Sequence, residues 1–574
     1  MNKASSNTLS FARMPRSKRM LAFLLALSLT LTGTGFAISP TTAFADGIPG
    51  GGGSGSGSGS AATPAGDFKY KTKKDGIYIT GYKGSSKKVV VPAQIKKKNV
   101  VEVNLKRYDL TSLDVSACSK LLTLDCSWSK LTKLDLSKNT NLMRLICFGN
   151  KLTVLDVNKN IKLVHLDCGW NKLTKLNVSK NEKLTYLRCW DNKLTTLDVN
   201  KNVKLKSLAC GYNKLTKLDV SKNKKLEHLR CDFNKLTKLD VSSNPVLQSL
   251  DCRSNKLTVL DVSKNVKLSE LDCTSNQLTK LDVSKTTELA ILFCGKNQLT
   301  TLDVSKNIEL KTLDCGKSKL ASLDVSRNEK LKHLNCEKNQ LATLDVSKNA
   351  KLKSLLCEKN QLTSLDVSRN GKLSDLYCGW NNLSMLDVSK NAELSFLTCG
   401  NCPLMSIDVS KNKYLLWLGC ENCRLTSLDV SKNTELMELW CSNNTLTSLD
   451  VSKNRDLEEL RCSNNRLTKL DVSTIAGLEV LRCAGNQLTA LNVAKNKELT
   501  HLRCANNQLA KLDVSKNTKL KDLRCANNKL TKLSISKNKK LKILQCQGNS
   551  IKDTAKLEAW LKKSGHTGQV LPQN

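Results

Sequence analysis

The chain has 574 residues, a net charge of +41 and 24 cysteines, and only 4% of its residues are aromatic. By length alone the chain would suggest about four globular domains, but the internal repeat described below overrides this, because a solenoid grows by adding coils. The excess of lysine and arginine is interpreted either as solubility and self-repulsion of a long protein or as attraction to polyanions such as cell-wall polymers, acidic glycans or nucleic acid. No apolar run is long enough to cross a bilayer, so no transmembrane segment is expected in the mature chain.

Residues 1–45 have the features of a secretory signal peptide. Residues 13–19 supply a basic segment, residues 20–32 supply an apolar one, and Ala43-Phe44-Ala45 form a cleavage site before Asp46. The sequence therefore predicts export and a secreted, extracellular location, with association to the cell wall as one form of it.

Two short segments separate the signal peptide from the rest of the chain. Residues 46–66 are rich in glycine and serine and are predicted to be a flexible linker. Residues 67–99 alternate apolar and polar side chains around Asp75-Gly76, which is a hairpin signal. We predict an N-terminal β cap over residues 67–99, because the first turn of a repeat array otherwise exposes its apolar end.

One phrase of 21 residues recurs over residues 100–551. In the copy LKSLACGYNKLTKLDVSKNKK, which begins at Leu205, the cysteine is Cys210. The corresponding cysteine recurs every 21 residues from Cys126 to Cys546, which gives 21 copies without an insertion or deletion. A fixed period in this range predicts a solenoid, in which each unit buries its apolar face only against its neighbours.

Each copy contains two segments, Leu-x-Cys and Leu-Asp-Val, in which inward apolar residues alternate with outward ones. This alternation predicts a mainly β repeat solenoid with two short strands per coil, stacked into two parallel sheets. About 21 coils at ~4.8 Å per strand would form a rod on the order of 100 Å long. An asparagine after each segment is expected to satisfy backbone groups where the chain turns inward.

The pattern LxxLxCxxNxL, represented by Leu205, Leu208, Cys210, Asn213 and Leu215, resembles the signature of leucine-rich repeats. The second half of each copy repeats the motif, and this nesting is similar to a class of bacterial leucine-rich repeats called IRREKO. The general plan of the chain is similar to that of internalin-type surface proteins. The resemblance implies a leucine-rich repeat fold and adhesion to a protein or a glycan.

The repeated cysteines are expected to point inward and to act as small apolar side chains. Neighbouring copies would hold them ~4.8 Å apart with parallel Cβ directions, which is wider than the ~3.8 Å of a disulfide. Free, buried thiols are therefore predicted. Cys402 and Cys423 replace the first asparagine in two adjacent copies. They either substitute for it within the ladder or form a disulfide.

The outward positions around Leu-x-Cys vary between copies, whereas the second half is nearly constant. A surface that keeps its core and varies its exterior is the candidate binding face. Its aromatic side chains are expected to contact protein, to stack on sugar rings, or to pack on one another. The candidate ligand-binding aromatic residues are Trp128, Trp170, Trp190, Tyr377, Trp380, Phe396, Trp417 and Trp440.

Four arginines, Arg461, Arg482, Arg503 and Arg524, occupy one outward position in successive copies. Like charges ~5 Å apart repel one another, so either neighbouring acids or an anionic ligand must compensate them. A guanidinium can form two parallel hydrogen bonds with a carboxylate or a phosphate. These arginines are therefore candidate ligand-binding residues.

The chain offers no converging groups for catalysis. His165, His228, His333 and His501 share one repeat position, but the closest two lie ~15 Å apart, too far to share a metal ion. No nucleophile motif or phosphate-binding loop is present, and buried thiols are poor nucleophiles. We therefore expect no enzyme activity, no catalytic residue, no cofactor and no metal site.

Residues 552–574 follow the repeat. Leu557, Trp560 and Leu561 lie among charged residues there, a pattern that predicts a short amphipathic helix over the last coil. The repeat array is thus expected to end in a C-terminal helical cap.

Together these features predict an exported, non-enzymatic protein that recognises a protein or glycan through its variable face, as an adhesin. The alternative is a structural, cell-wall-associated protein that its positive charge holds on anionic polymers. Nucleic acid is not expected as a partner, because lysine columns provide charge without an element that reads bases.

Overall fold

The computed structural model describes residues 61–573, which form a β-solenoid of about 23 turns. The predicted signal peptide, residues 1–45, and residues 46–60 of the predicted linker lie outside the described residues. The described chain divides into two compact units with a boundary between Leu268 and Ser269. The prediction of a mainly β repeat solenoid is confirmed.

The first unit contains a 3₁₀-helix and thirteen strands in its described part. The 3₁₀-helix is Ala65–Asp67, and the strands are β1 (Phe68–Thr72), β2 (Ile77–Tyr82), β3 (Lys88–Val90), β4 (Gln94–Ile95), β5 (Lys98–Asn104), β6 (Ser112–Asp114), β7 (Thr123–Asp125), β8 (Arg144–Ile146), β9 (His165–Asp167), β10 (Tyr186–Arg188), β11 (Ser207–Ala209), β12 (His228–Arg230) and β13 (Ser249–Asp251).

The strands of the first unit form one long parallel ladder. β2 pairs with β5, β5 pairs with β7, and each strand from β7 to β12 pairs with the next one, all in parallel. β1 is antiparallel to β2, and β4 is antiparallel to β5. The N-terminal strands therefore extend the ladder beyond the 21 cysteine-bearing copies. The prediction of about 21 coils counted only those copies.

The second unit continues the repeat and ends in a helix and a strand. Its elements are β14 (Glu270–Asp272), β15 (Ile291–Phe293), β16 (Thr312–Asp314), β17 (His333–Asn335), β18 (Ser354–Leu356), β19 (Asp375–Tyr377), β20 (Phe396–Thr398), β21 (Trp417–Gly419), β22 (Glu438–Trp440), β23 (Glu459–Arg461), β24 (Val480–Arg482), β25 (His501–Arg503), β26 (Asp522–Arg524), β27 (Ile543–Gln545), α1 (Ala555–Leu561) and β28 (Thr567–Gln569). Each strand from β14 to β27 is parallel to the next one.

The core of each unit is built from the same few positions in every turn. In the copy that begins at Leu205, the side chains of Leu205, Leu208, Cys210, Leu215 and Val220 are buried. The register places the central leucine of each strand against that of its neighbour, as in β11 and β12. Because identical side chains stack at every turn, the period of 21 residues is also the period of the core.

The asparagines that follow the two segments in most copies satisfy backbone groups, as expected. Asn213 donates from Nδ2 to the carbonyls of Cys189 and Cys210, at 3.0 and 3.1 Å, and accepts a hydrogen bond from the backbone N–H of Leu194 at 2.9 Å. Each such side chain therefore links its own turn to the previous one, at the point where the strand ends.

The expected second parallel sheet is absent from residues 61–573, apart from the pairing of β3 with β6. In the second half of the copy, Asp219 Oδ1 accepts the backbone N–H of Ser221 at 2.9 Å, so this N–H is used within its own turn. The link to the previous turn is made by Asn223 Nδ2, which donates to the carbonyls of Val199 and Asn202. Side-chain hydrogen bonds thus replace a β ladder on this side.

The C-terminal segment combines the predicted helix with an additional strand. The helix α1 buries Leu557, and β28 pairs in parallel with β27. Trp560 stacks on His566, with ring centroids 4.1 Å apart. No helix in residues 61–573 combines the length and the hydrophobicity that a membrane span requires.

Candidate functional site

The outward side chains of the three-residue strands and the two residues after each cysteine form a surface that we call the strand face. In β21, for example, Trp417 and Gly419 flank the buried Leu418, and Glu421 and Asn422 follow Cys420. The alternation of a strand places the first and third residues on the outside. The candidate aromatic and arginine residues all belong to this face.

The second residue after the cysteine has a positive φ in all 21 copies, from Trp128 at 56° to Gly548 at 64°. Asparagine and glycine tolerate this left-handed conformation, whereas for a bulky residue it is costly and is retained mainly at functional sites. Five copies nevertheless carry an aromatic side chain there. They are Trp128, Trp170, Tyr212, Phe233 and Trp380.

Six successive turns of the first unit each place one aromatic ring on the strand face, at the first or second residue after the cysteine. We call this set the aromatic column; it comprises Trp128, Phe148, Trp170, Trp190, Tyr212 and Phe233. The ring centroids of Trp128 and Trp170 lie 4.9 Å apart, and those of Phe148 and Trp190 lie 5.5 Å apart. The structure thus brings the candidates Trp128, Trp170 and Trp190 together.

Two glycines make room for these contacts between alternate turns. A Cβ atom on Gly169 would lie 2.8 Å from Trp190 Cδ1 and 3.1 Å from Phe148 Cδ2. A Cβ atom on Gly149 would lie 3.3 Å from the Trp128 ring. Glycine at these two positions therefore allows rings two turns apart to meet.

Much of the aromatic column remains accessible although its rings pack on one another. Trp128 and Trp170 are each 37% exposed, and Tyr212 and Phe233 are 43% and 40% exposed. Tyr212 stacks on Phe233 with centroids 4.2 Å apart. Phe148 was missed among the sequence candidates, and a comparison of the residue after each cysteine in successive copies would have indicated it.

A second aromatic cluster lies in the second unit. Trp417 packs edge-on against Phe396 and Trp440, with centroids 6.4 and 4.9 Å away. The guanidinium of Arg461 lies 3.7 Å from the centroid of the Trp440 ring, a distance at which cation–π attraction is favourable. The candidates Phe396, Trp417, Trp440 and Arg461 are therefore in one continuous contact.

The four arginines continue this surface through β23 to β26, where each pairs in register with the next. Arg461 Nε donates to Glu459 Oε1 at 2.6 Å. Arg503 and Arg524 both donate to Asp522, at 3.0 Å each. Acids of the chain itself therefore compensate three of the four arginines.

Arg482 differs from its three neighbours in the column. Its Nε is buried and has no hydrogen-bond partner among the described residues. Burial, followed by the charges of Arg461 and Arg503, lowers the pKa of the Arg482 guanidinium. This unpaired guanidinium, at the centre of the column, is the strongest candidate for contact with an anionic group.

Two candidate aromatic residues lie in different environments. The sequence predicts Tyr377 to be exposed, but the residue is only 8% exposed; it pairs in register with Thr398 of the next strand. Trp380 is 54% exposed, and Lys359 Nζ lies 5.1 Å from the centroid of its ring. Trp380 is therefore exposed to a partner on the strand face, whereas the Tyr377 ring is covered.

All 24 cysteines lie in the described chain as buried, free thiols. The alternative disulfide between Cys402 and Cys423 is not formed in the structure. Each of the two thiols instead donates to a carbonyl of the previous turn, Cys402 to Cys378 and Cys423 to Cys399, at 3.6 Å. They thus take over part of the role of the asparagine that they replace.

Groups that could perform chemistry are dispersed. Within residues 61–573, no group of three or more histidine, cysteine, aspartate or glutamate side chains is arranged to hold a metal ion. Burial raises the pKa of the Cys462 thiol to about 12, so it is protonated and unreactive at neutral pH. The arrangement of the strand face is that of a contact surface.

No protein-family model matches the chain, and no curated protein sequence matches it either. Among solved structures, the functional domain of InlJ from Listeria monocytogenes, which is described as including a cysteine ladder, is 34% identical. That match covers 68% of this chain and 76% of the InlJ chain, with a TM-score of 0.44.

Two further structures are similar to this chain. The leucine-rich repeat ectodomain of the Arabidopsis receptor kinase HAESA, in complex with an IDA peptide hormone ligand, is 19% identical with a TM-score of 0.64, and the match covers 80% of this chain and 88% of that chain. YopM from Yersinia enterocolitica is 23% identical with a TM-score of 0.51, and the match covers 79% and 88%.

Proposed function

This chain belongs to the leucine-rich repeat proteins, and from that premise we propose that it is an exported, non-enzymatic adhesin that binds a protein partner through its strand face. The contact begins at the aromatic cluster Phe396, Trp417 and Trp440. It continues over the arginines, where the partner presents acidic side chains. The extracellular location follows from the signal sequence predicted over residues 1–45.

The observation that carries this proposal is the unpaired guanidinium of Arg482 within an otherwise compensated column. The Arg482 side chain is half-buried and its buried Nε has no partner among the described residues, an arrangement that is costly. A carboxylate of a bound protein would form two hydrogen bonds with the guanidinium. The neighbouring indole rings add large apolar contact area, and tryptophan and arginine are enriched among the residues that dominate protein interfaces. A leucine-rich repeat ectodomain such as that of HAESA holds a peptide ligand on this fold.

The test is to probe protein and glycan arrays with the purified protein and with variants. We expect protein hits whose affinity falls at least tenfold in Arg482→Gln and in Trp440→Ala. Lys432→Gln is the matched control, because Lys432 is an exposed cation on the second half of a turn. Retained affinity in both strand-face variants, or hits confined to glycans, would contradict the proposal.

The net charge of +41 favours the alternative function, a structural protein held on anionic wall polymers. Such binding is screened by salt and does not depend on particular rings. If moderate salt released the protein from cells while Trp417→Ala and Trp440→Ala left retention unchanged, this alternative would replace the adhesin.

A further inference from the structure

Two glutamates of the second unit extend over neighbouring glycines instead of pointing into solvent. A Cβ atom on Gly379 would lie 3.5 Å from Glu358 Oε1, and a Cβ atom on Gly400 would lie 3.1 Å from Glu421 Oε2. Gly379 and Gly400 are the residues after the cysteine in two successive turns, and the glutamates hold this position in the turns on either side. We call this arrangement the glycine recess.

Two buried oxygen atoms of the recess have no hydrogen-bond partner among the described residues. Glu358 Oε1 accepts a hydrogen bond from Thr398 at 2.9 Å. In contrast, Glu421 Oε2 and Tyr377 Oη are buried and have no partner among the described residues. Tyr377 is only 8% exposed, and burial, followed by the charges of Asp375 and Glu358, raises the pKa of its hydroxyl.

The chain supplies no ion pair to either glutamate within residues 61–573, although it does so at corresponding positions elsewhere. Glu337, one turn before Glu358, pairs with Lys317 at 3.0 Å, and Asp232 pairs with Arg230 at 3.0 Å.

The two cations that act on the recess are engaged with other groups. Lys359 lies against the ring of Trp380, and Arg461 lies between Glu459 and Trp440. The recess is therefore a locally acidic site in a strongly basic protein.

Burial acts on both carboxylates, and repulsion by neighbouring carboxylates adds to it at Glu358. Burial raises the pKa of Glu358, and the charges of Glu337 and Glu421 raise it further against the opposing effects of Thr398 and Lys359. Burial likewise raises the pKa of Glu421, against the effects of its own backbone N–H and of Arg461. An added cation would relieve both costs.

We propose that the glycine recess receives a lysine or arginine side chain of the protein partner. This inference rests on the proposed function and adds the chemistry of one anchor residue. The carboxylates of Glu358 and Glu421 bind the cation, and Tyr377 Oη accepts one of its hydrogen bonds. Because Glu421 Oε2 has no hydrogen-bond donor among residues 61–573, this carboxylate is able to turn toward the incoming group.

The surroundings favour a side-chain cation over other occupants. Trp380 directly follows Gly379 and is 54% exposed, so its ring can cover the stem or the charge of a bound side chain. A metal ion would need further ligands, and no cluster of three such groups exists in the described chain. Gly379 and Gly400 have no side chains, and the two glutamates lie over them, so a turn of the Glu421 carboxylate away from Gly400 makes room for the incoming cation.

The test uses two short peptides with the purified protein, acetyl-Gly-Arg-Gly-amide and its citrulline analogue, which is neutral and of nearly the same shape. Saturation-transfer NMR titrations measure their dissociation constants. We expect saturable millimolar binding of the arginine peptide and binding of the citrulline peptide that is at least tenfold weaker. Equal binding of the two peptides, or binding of neither, would overturn the proposal.

Variants locate the site. Glu421→Gln and Glu358→Gln should each weaken binding of the arginine peptide at least fivefold. Tyr377→Phe should weaken this binding about twofold to threefold. Glu393→Gln, at an exposed glutamate outside the strand face, is the control and should have no effect. Unchanged binding in both recess variants, or displacement of the peptide by millimolar Ca²⁺ alone, would contradict a side-chain receptor. Because the partner is not used, failure here leaves the array result for Arg482 unaffected.

Discussion

Thr398 donates a hydrogen bond from Oγ1 to Oε1 of Glu358 at 2.9 Å, although a complete turn of the solenoid separates their two turns. The intervening turn has Gly379 at the position where a side chain would otherwise stand. The rings of Trp128 and Trp170 meet in the same way across a glycine. Glycine at the first or second position after the cysteine therefore allows side chains two turns apart to touch.

Replacement of Gly379 by alanine should destabilise the second unit. The new Cβ would lie 2.7 Å from the backbone oxygen of Gly400, so the adjacent turns must shift. We expect a loss of about 1–3 kcal/mol in the free energy of unfolding, measured by urea unfolding. Gly477→Ala is the control, because no atom lies within 4 Å of its new Cβ. An equal effect of the two substitutions would show that the close approach at Gly379 is unimportant.

The second asparagine of each copy should be more tolerant of threonine than of alanine. Asn391 is buried and donates from Nδ2 to the carbonyls of Val367 and Asn370 at 3.0 Å each. Asn391→Ala leaves both carbonyls without these donors and should cost about 2–3 kcal/mol. Thr286 occupies this position in another copy and donates to a carbonyl through Oγ1, so Asn391→Thr should cost about half as much. Thermal unfolding of both variants tests this prediction. A larger destabilisation in Asn391→Thr than in Asn391→Ala would refute it.

The ladder thiols should be unreactive in the folded protein. Burial raises the pKa of thiols such as Cys336 and Cys504 to about 12, and reaction requires the thiolate. We expect labelling with a chromogenic disulfide reagent at pH 8 to be at least about 100-fold slower in buffer than in guanidinium chloride. All 24 thiols should react once the chain is unfolded. Fast labelling of the folded protein, or fewer thiols after unfolding, would contradict the structure.

Arg482 and Arg503 should differ in their contribution to stability. Arg503 donates to Asp522, whose side chain is only 3% exposed, and removal of the arginine leaves this carboxylate with Arg524 alone. Arg503→Gln should therefore cost about 1–2 kcal/mol. Arg482→Gln removes a charge that repels Arg461 and Arg503, so it should cost less than about 0.5 kcal/mol. The midpoints of urea unfolding measure the two losses of stability. A larger loss in Arg482→Gln than in Arg503→Gln would assign Arg482 a structural role.

Acidification should destabilise the first unit through His165. Burial, then the charges of Arg144 and Arg188, lowers the pKa of His165 to about 4. The folded chain therefore holds the neutral ring, while the unfolded chain binds a proton near pH 6.5. Stability is complete above that pH and is lost as pH falls toward 4, by less than about 1 kcal/mol at pH 5 because solvent screens this half-exposed ring. His165→Gln should reduce the loss between pH 7 and pH 5 in urea unfolding, and an unchanged loss would exclude His165 as its source.

The candidate arginines illustrate what the sequence could predict about the strand face. Their common repeat position places Arg461, Arg482, Arg503 and Arg524 in one column, because the period of the core fixes the register. The sequence does not decide which of them is compensated. That depends on the reach of Glu459 and Asp522 toward neighbouring strands, and only Arg482 is left without a carboxylate.

The second half of the copy shows where alternation alone is insufficient. Leu218 and Val220 are buried as their spacing predicts, yet the segment forms no sheet. The carboxylate of Asp219 accepts a hydrogen bond from the backbone N–H of Ser221 within the same turn. A competing side-chain acceptor two residues away therefore prevents a β ladder that the apolar pattern would allow.

The sequence by itself determined the solenoid, its period, the inward ladder of leucine and cysteine, and the half of each turn that varies. These follow from local spacing, since every turn buries the same positions against identical neighbours. Only the tertiary structure decided that the rings pack across glycines, that Tyr377 is buried, that one arginine is unpaired, and that Glu358 and Glu421 share a recess. Those relations join residues of different turns, such as Glu358 and Glu421, which are 63 positions apart. They lie on the outside of the fold, where no repeated core contact fixes the direction of a side chain.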